Sequence, residues 1–341
     1  MDAAAIYRDA LVWDDHGGFA VLPGTPIGPF LDPWREARVD YLSICAGFDA
    51  WPPETTLQSL ASLRHQIALE IPYATLVASL EEVAAARNAG RMAVTFDIEG
   101  MRVLGGRIEM VRMLYDLGVR HMNFAYNRNS AAGSGCHDED IGLTDFGRAV
   151  IDEMNRVGMV IDCTHCGFRT TMEAMERSAL PVNFTHSNPR ALADHGRNIG
   201  NDQIRACAAT GGVVGINGIN LFLGVGTATP ADVARHAAYV ADLVGTEHVG
   251  LCLDDTPEFR IEGPVEFLSV TPDADAIWPA SAGYGPGLSC LDIRRLPDVA
   301  AELLKIGFSD DDLRRVLGLN FARVARQVWK PAPSSLSITG P

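Results

Sequence analysis

Short apolar runs rich in Val, Ile, Met and Phe recur along the chain, separated by amphipathic or polar stretches. Eight stand out: Ala10–Asp15, Val39–Ala46, Met92–Glu99, Arg120–Tyr126, Met159–His165, Val182–His186, Val213–Ile219 and Val249–Asp254. They lack a clean apolar/polar alternation, which is how strands of a parallel sheet buried on both faces read. Helical patterns lie between most of them. Ala61–Ala89 is long enough for two helices, and Ile108–Leu117, Thr144–Val157, Arg169–Ser178, Asn201–Ala209 and Pro230–Val244 supply others. Glu302–Leu304 and Asp310–Gln327 follow the last run. Thr144 is a helix-start signal, and Gly118 and Gly158 stand just past helix ends, where positive φ is often needed. Eight β/α repeats predict a closed (β/α)8 barrel of the TIM type rather than an open sheet. No linker divides the chain, so 1–341 reads as a single barrel domain with a loop insertion after strand eight at about 256–290. Its Gly/Pro-rich part, Pro272–Gly287, falls where barrel enzymes keep their active-site loops and reads as either a lid or a solvated insertion.

Composition narrows the classes. The 341 residues are 47% apolar and 21% charged, enough for a large core and unlike a disordered chain. A formal net charge of -15 opposes nucleic-acid binding, which needs a basic face. Met1 to Leu11 has no apolar core of a signal peptide, and no stretch approaches the roughly 18 to 20 apolar residues of a membrane helix. The tail Ser334 to Pro341 is short and polar and carries no anchor signal. Seven scattered cysteines (Cys45, Cys136, Cys163, Cys166, Cys207, Cys252 and Cys290) read as free thiols of a cytoplasmic protein. Cys163 and Cys166 lack a second Cys pair to complete a zinc site. Gly211-Gly212-Val213-Val214-Gly215 lacks dinucleotide spacing and reads as a tight strand entry, and His137 reads as a loop histidine.

The candidate chemistry lies at strand ends. His16, Glu99, Tyr126, His165, His186 and Asp254 end six of the eight runs, and in a barrel these positions converge on the C-terminal mouth. One histidine near an apolar run is ordinarily a packed rim residue. Three His and one Glu at equivalent strand ends point instead to metal: His16, Glu99, His165 and His186 as ligands. Imidazole nitrogen with carboxylate oxygen suits Zn²⁺ best, with Mn²⁺ or Co²⁺ as other occupants, and a carboxylate can bridge two ions. Asp162, out of phase with His165, reads as structural.

Further runs carry a family resemblance: Asp97-Ile98-Glu99-Gly100, Gly142-Leu143-Thr144 through Gly147, and Met154-Asn155-Arg156-Val157-Gly158-Met159. Asp162-Cys163-Thr164-His165, Pro181 to Ser187, Arg197-Asn198 and Gly318-Leu319-Asn320-Phe321 follow in order. Together they resemble the membrane (renal) dipeptidase family of zinc metallopeptidases. Tyr126-Asn127-Arg128-Asn129 looks like its bacterial branch. The resemblance implies Glu99 as a carboxylate bridging two zinc ions, His165 and His186 on one ion, and His16 on the other. It implies Arg197 as the grip on the substrate carboxylate and Asp254 as the acid near the bridging water. Tyr126 stands where vertebrate enzymes carry a substrate-contacting His, with Asn127 beside it as a further substrate-binding residue. A homodimer is plausible on the same ground.

Two departures stand out. The family's Asp-x-His-x-Asp is here Asp14-Asp15-His16-Gly17-Gly18, so the last carboxylate ligand is missing and the second zinc is in doubt. Asp14, two residues before His16 and on the same face of a regular strand, and Asp97, in the same relation to Glu99, are candidates for orienter or substitute ligand. The family's Asp-Phe-Asp-Gly is here Asp254-Asp255-Thr256-Pro257. The expected reaction is dipeptide hydrolysis by a metal-activated water, with Asp254 moving the proton and Tyr126 steadying the oxyanion. The alternatives are a mononuclear amidase or lactonase acting on another small substrate, and a barrel that has lost catalysis and serves binding or assembly.

Overall fold

The structure is a computed structural model and describes residues 2–257, 270–271 and 273–331. The expected tail Ser334 to Pro341, and residues 258–269 and 272 of the insertion, lie outside the described residues. Nine strands run in chain order: β1 Trp13–Gly17, β2 Tyr41–Phe48, β3 Ala74–Leu76, β4 Met92–Glu99, β5 Val119–Asn123, β6 Val160–Asp162, β7 Val182–Asn183, β8 Val214–Ile216 and β9 Val249–Leu251. Every ladder between them is parallel, in the order β1-β2-β4-β5-β6-β7, with β8 paired to β9. A parallel bridge from Phe184 to Val214 carries β7 on to β8. The seam between β9 and β1 has no ladder among the described residues. Cys252 Sγ, donating to His16 O at 3.4 Å, and Thr256 Oγ1, donating to Gly18 O at 2.8 Å, stitch it. This is the expected (β/α)8 barrel, with β3 as an extra strand.

β3 was not expected. Ala61–Ala89 resolves into a helix Pro53–Leu69, the three residues of β3 and a helix Leu80–Asn88. β3 pairs with the first residues of β4, below the point where β5 takes over the same edge. Three residues are too few for a periodicity to show. Two helices, Ala3–Asp9 and Gly28–Glu36, also flank β1 unannounced. Helices Asn201–Ala209 and Pro230–Val244 keep their expected bounds. Asp310–Gln327 is broken by a π-turn at Arg315–Leu319. Thr144 caps helix Asp145–Val157 by accepting from Gly147 N at 3.0 Å, and Gly158 ends it at φ 93°.

β4 shows how the barrel sorts its side chains. Met92, Val94, Phe96 and Ile98 join the large apolar layer under the helices, leaving Ala93, Thr95, Asp97 and Glu99 for the interior. The alternation missed in the sequence is therefore present here, with its polar members rising toward the mouth. At the opposite end Trp13 and Tyr41 stack at 3.5 Å and tilt against Trp329, closing the barrel floor.

β1 departs from regularity. Its register moves from Asp14 opposite Leu42 to Gly17 opposite Ile44, so one extra residue is inserted. This bulge changes the phase of His16 relative to Trp13 and Asp15. It also overturns the expected place of Asp14. Its Oδ2 accepts from Trp34 Nε1 of the neighbouring helix at 2.7 Å, so Asp14 faces the helical layer and not the site.

Candidate metal centre

Six strands deliver the candidate residues. Glu99 is the last residue of β4, and His16 is next to last in β1. Tyr126, His165, His186 and Asp254 each lie three residues beyond their strand, on the turn that follows. Three residues there take positive φ, a conformation unusual outside glycine: Asn127 at 59°, His165 at 68° and Asp254 at 52°. Such strain persists where surrounding contacts over-determine it, and functional sites are its usual place.

His165 Nε2 and His186 Nε2 are 3.1 Å apart, and Glu99 Oε1 lies 2.9 and 3.3 Å from them. Zinc with nitrogen and oxygen ligands at about 2.0–2.2 Å requires tetrahedral edges of roughly 3.3 Å, so the three atoms match one face of such a site. All three side chains are buried, and Glu99 Oε1 has no hydrogen-bond partner among the described residues. Burial pushes both imidazoles well below their usual range, with Arg197 adding to the effect at His165 and His16 at His186. Two neutral nitrogens facing an unsatisfied carboxylate oxygen are suited to a cation, so the residues present fit a metal ion.

Each ligand is oriented from behind. His165 Nδ1 lies 2.7 Å from Asn127 Oδ1, whose Nδ2 donates to Ile277 O at 3.2 Å. Arg197 Nε also donates to this Nδ1 at 3.1 Å, so the ring is held from behind by two groups with Nε2 turned toward Glu99. His186 Nδ1 meets Thr185 Oγ1 at 2.9 Å, and Thr185 Oγ1 donates to Asp162 at 2.7 Å. Asp162 also accepts from Thr164, a supporting role that reaches His186 through Thr185.

His16 forms the other half. Its ring stacks on His186 at 4.0 Å, with Nε2 3.9 Å from Glu99 Oε2 and 3.6 Å from Asp254 Oδ1. His16, Glu99 and His186 each offer a ligand atom within 4.8 Å of the others. Nδ1 of His16 meets Asp97 Oδ1 at 3.0 Å, and Asp97 Oδ2 accepts from Ser43 at 2.7 Å. Asp97 therefore orients His16. Burial alone would lower the His16 pKa, but Asp97, Glu99 and Asp254 outweigh it and hold it well above the ordinary value. Glu99 is pushed up to about 8, by burial first, against the pull of His16. Asp254 is raised by burial, opposed by His16 and Arg197.

A cavity of about 430 Å³ opens over these atoms. Phe48, Tyr126, Trp278, Ile219, Phe222 and Tyr284 make its apolar wall. Trp278 Nε1 donates to Tyr126 OH at 3.2 Å, and the Tyr126 ring lies 4.3 Å from that of His165. The described part of the Pro272–Gly287 stretch places Trp278 and Tyr284 on the cavity wall, while most of its other residues are exposed. Trp278 and Tyr284 were missed, although an aromatic within a Gly/Pro-rich insertion was a readable signal. Asn217, which donates to Asp254 Oδ2 at 2.7 Å, had none.

Arg197 is not brought into the cavity. It is 2% exposed, and its guanidinium donates to Ser187 Oγ at 3.1 Å and His186 O at 2.9 Å, with Nε 3.1 Å from His165 Nδ1. It backs the histidines, and a grip on substrate from this position would require it to turn. His137 lies behind the wall residue Tyr284, its Nε2 3.0 Å from Tyr284 OH.

The family model "Membrane dipeptidase (Peptidase family M19)" matches residues 41–259. Among curated relatives, dipeptidase aclJ of Aspergillus oryzae is 32% identical over 72% of this chain and 54% of its own length. An uncharacterized dipeptidase, C965.12, of Schizosaccharomyces pombe is 29% identical over 73% of this chain and 55% of its own length. The chain thus spans about half the length of these relatives. An amidohydrolase from Pseudomonas aeruginosa superposes with a TM-score of 0.84 at 24% identity, covering 96% of this chain and 99% of that one. A metallo peptidase from Rhodobacter sphaeroides, liganded with a phosphinate mimic of the dipeptide L-Ala-D-Ala, does so at 0.72 and 19% identity, over 94% and 100%. These two likenesses establish the shared fold. Among the described residues no helix is long and apolar enough to cross a membrane.

Proposed function

Because the chain belongs to the membrane dipeptidase family, we propose that it hydrolyses the amide bond of a dipeptide or close analogue with a metal-activated water. The observation that carries this reading is the triangle of Glu99 Oε1, His165 Nε2 and His186 Nε2, whose carboxylate oxygen has no hydrogen-bond partner among the described residues. We assign one zinc ion to that triangle and a second to the His16 side of Glu99. A bound zinc supplies a water of lowered pKa and a Lewis acid for the scissile carbonyl. Asp254, at the cavity with its Oδ2 fixed by Asn217, takes the proton of the attacking water and returns it to the departing amine. Tyr126 OH accepts from Trp278, which leaves the phenol's own hydrogen to donate to the developing oxyanion. Asn127 borders the cavity and holds His165, so its part in substrate binding is combined with a positioning one.

We take 1–341 as one barrel unit whose 256–290 insertion walls the site. The Tyr126-Asn127-Arg128-Asn129 run favours the bacterial branch, although the curated relatives named above are fungal. The seven free cysteines favour a reducing, cytoplasmic setting. A second reading is favoured by Arg197 alone. With that guanidinium engaged behind His165, a small apolar amide without a carboxylate fits the aromatic wall as well as a dipeptide does.

The test is a panel of L-L and L-D dipeptides and their C-terminal amides, assayed with added Zn²⁺. Turnover of dipeptides that vanishes in His165→Ala is expected. Equal rates on amides lacking the carboxylate select the second reading, and no rate above the His165→Ala background on any substrate removes both.

A further inference from the structure

Residue 18 is where the family's pattern places a carboxylate and this chain has none. The stretch matched by the family model begins at residue 41, so this part of the site lies outside it. The two substitutes suggested by the sequence are both committed elsewhere. Asp14 turns to Trp34, and Asp97 holds His16 Nδ1 and Ser43.

What fills the space at Gly18 is residue 254. A Cβ added to Gly18 would stand 2.2 Å from Asp254 Oδ1 and 2.6 Å from the Asp254 backbone C and O. Only glycine lets the β9 turn come this close to β1. The approach is held from both sides: Thr256 Oγ1 donates to Gly18 O at 2.8 Å, and Asn217 Nδ2 fixes Asp254 Oδ2 at 2.7 Å. Asp254 Oδ1 is thereby left 3.6 Å from His16 Nε2, the atom that Glu99 Oε2 approaches to 3.9 Å. Asp254 takes a left-handed backbone at this approach, φ 52°.

We infer that Asp254 is the third protein ligand of the His16 metal site, replacing the carboxylate lost at position 18, with Gly18 as the residue that admits it. The ligand set is His16 Nε2, Glu99 Oε2 and Asp254 Oδ1, which suits a zinc-like divalent cation. The missing ligand and the close packing are then one adaptation, a carboxylate delivered from β9 instead of β1. This assignment rests on the metal-hydrolase reading and gives Asp254 a binding duty beside its proton transfer.

The experiment is equilibrium dialysis of the full chain against buffered free Zn²⁺, with bound metal counted by mass spectrometry. Wild type is expected to hold two ions per chain. Asp254→Asn, nearly isosteric, should keep the His165–His186 ion and weaken the other by about tenfold or more. Gly18→Ala removes no ligand, yet should weaken the same ion by displacing residue 254. Gly18→Asp, which restores the family's carboxylate, should not strengthen it. Circular dichroism confirms that each variant is folded, and Asp254→Asn decides the matter should the Gly18 variants fail to fold. A wild type that holds one ion, an Asp254→Asn variant with two ions at wild-type affinity, or a tighter second site in Gly18→Asp overturns the assignment. Two ions counted without any peptide turnover would instead strike the dipeptidase reading alone.

Discussion

The proposed metal triangle of Glu99 and its two histidines is aimed by the residues behind it. Asn127 fixes His165, Thr185 meets His186 and Asp97 orients His16. Partners of this kind are worth roughly 10–100-fold in metal affinity or activity. Asn127→Ala is therefore expected to weaken Zn²⁺ binding by about that factor while the fold persists, measured by competition with a chromogenic chelator. Unchanged affinity would mean that burial alone holds the ring. The candidate ligands stood out in the sequence because His and Glu at strand ends are rare by chance. Their supporting residues stood out less: an Asn or Thr near a strand end has many ordinary uses. Asp14 misled because a regular strand would put it under His16, and the bulge at Gly17 breaks that rule. The paired glycines at 17 and 18 were the only hint.

At the scale of elements, long periodic segments were readable and short ones were not. Helix Pro230–Val244 has a Thr229 cap, Pro at its first turn and a clear apolar face, so its bounds could be read directly. β3, three residues between two helices, could not. The same helix Pro230–Val244 carries a built-in acid sensitivity. His236 is fully buried, Nε2 meets Leu223 O at 3.3 Å, and Nδ1 has no partner among the described residues. Burial, reinforced by Arg235, lowers its pKa from 6.5 to about 4. Between these values the unfolded chain binds the proton and the native one does not. The stabilising contribution is complete above pH 6.5 and is lost as pH falls toward 4. The loss amounts to up to about 3 kcal/mol. Urea unfolding across this window should show a shallower pH slope in His236→Gln, and an unaltered slope would assign the acid sensitivity to other groups.

For the whole molecule, the barrel and its mouth were legible together, because eight β/α units in sequence leave few topologies and the mouth is where the polar strand ends must meet. Trp278 and Tyr284 of the cavity wall were not, since they come from an insertion with no period. Six strands contribute to the metal-facing cluster, so bound metal should stabilise the entire fold. One site at a hundred times its Kd adds about 2.7 kcal/mol. Thermal unfolding followed against free Zn²⁺ should show a rising Tm, reversed by chelator. A Tm independent of zinc would mean that the native state does not bind it preferentially.

The seam between β9 and β1 gives that linkage a direction. Every other neighbouring pair of barrel strands is joined by a ladder or a bridge, whereas this one is held by the Cys252 and Thr256 side chains. His16 stands on one lip and Asp254 on the other. A cation held by both would act as the rivet of an otherwise unsewn hoop, and the mouth would be where the hoop parts first. Amide hydrogens around Gly17 and Leu253 should then exchange fastest among the strand ends in metal-free protein. They should slow most when zinc is added, while those of β4 and its neighbours change little.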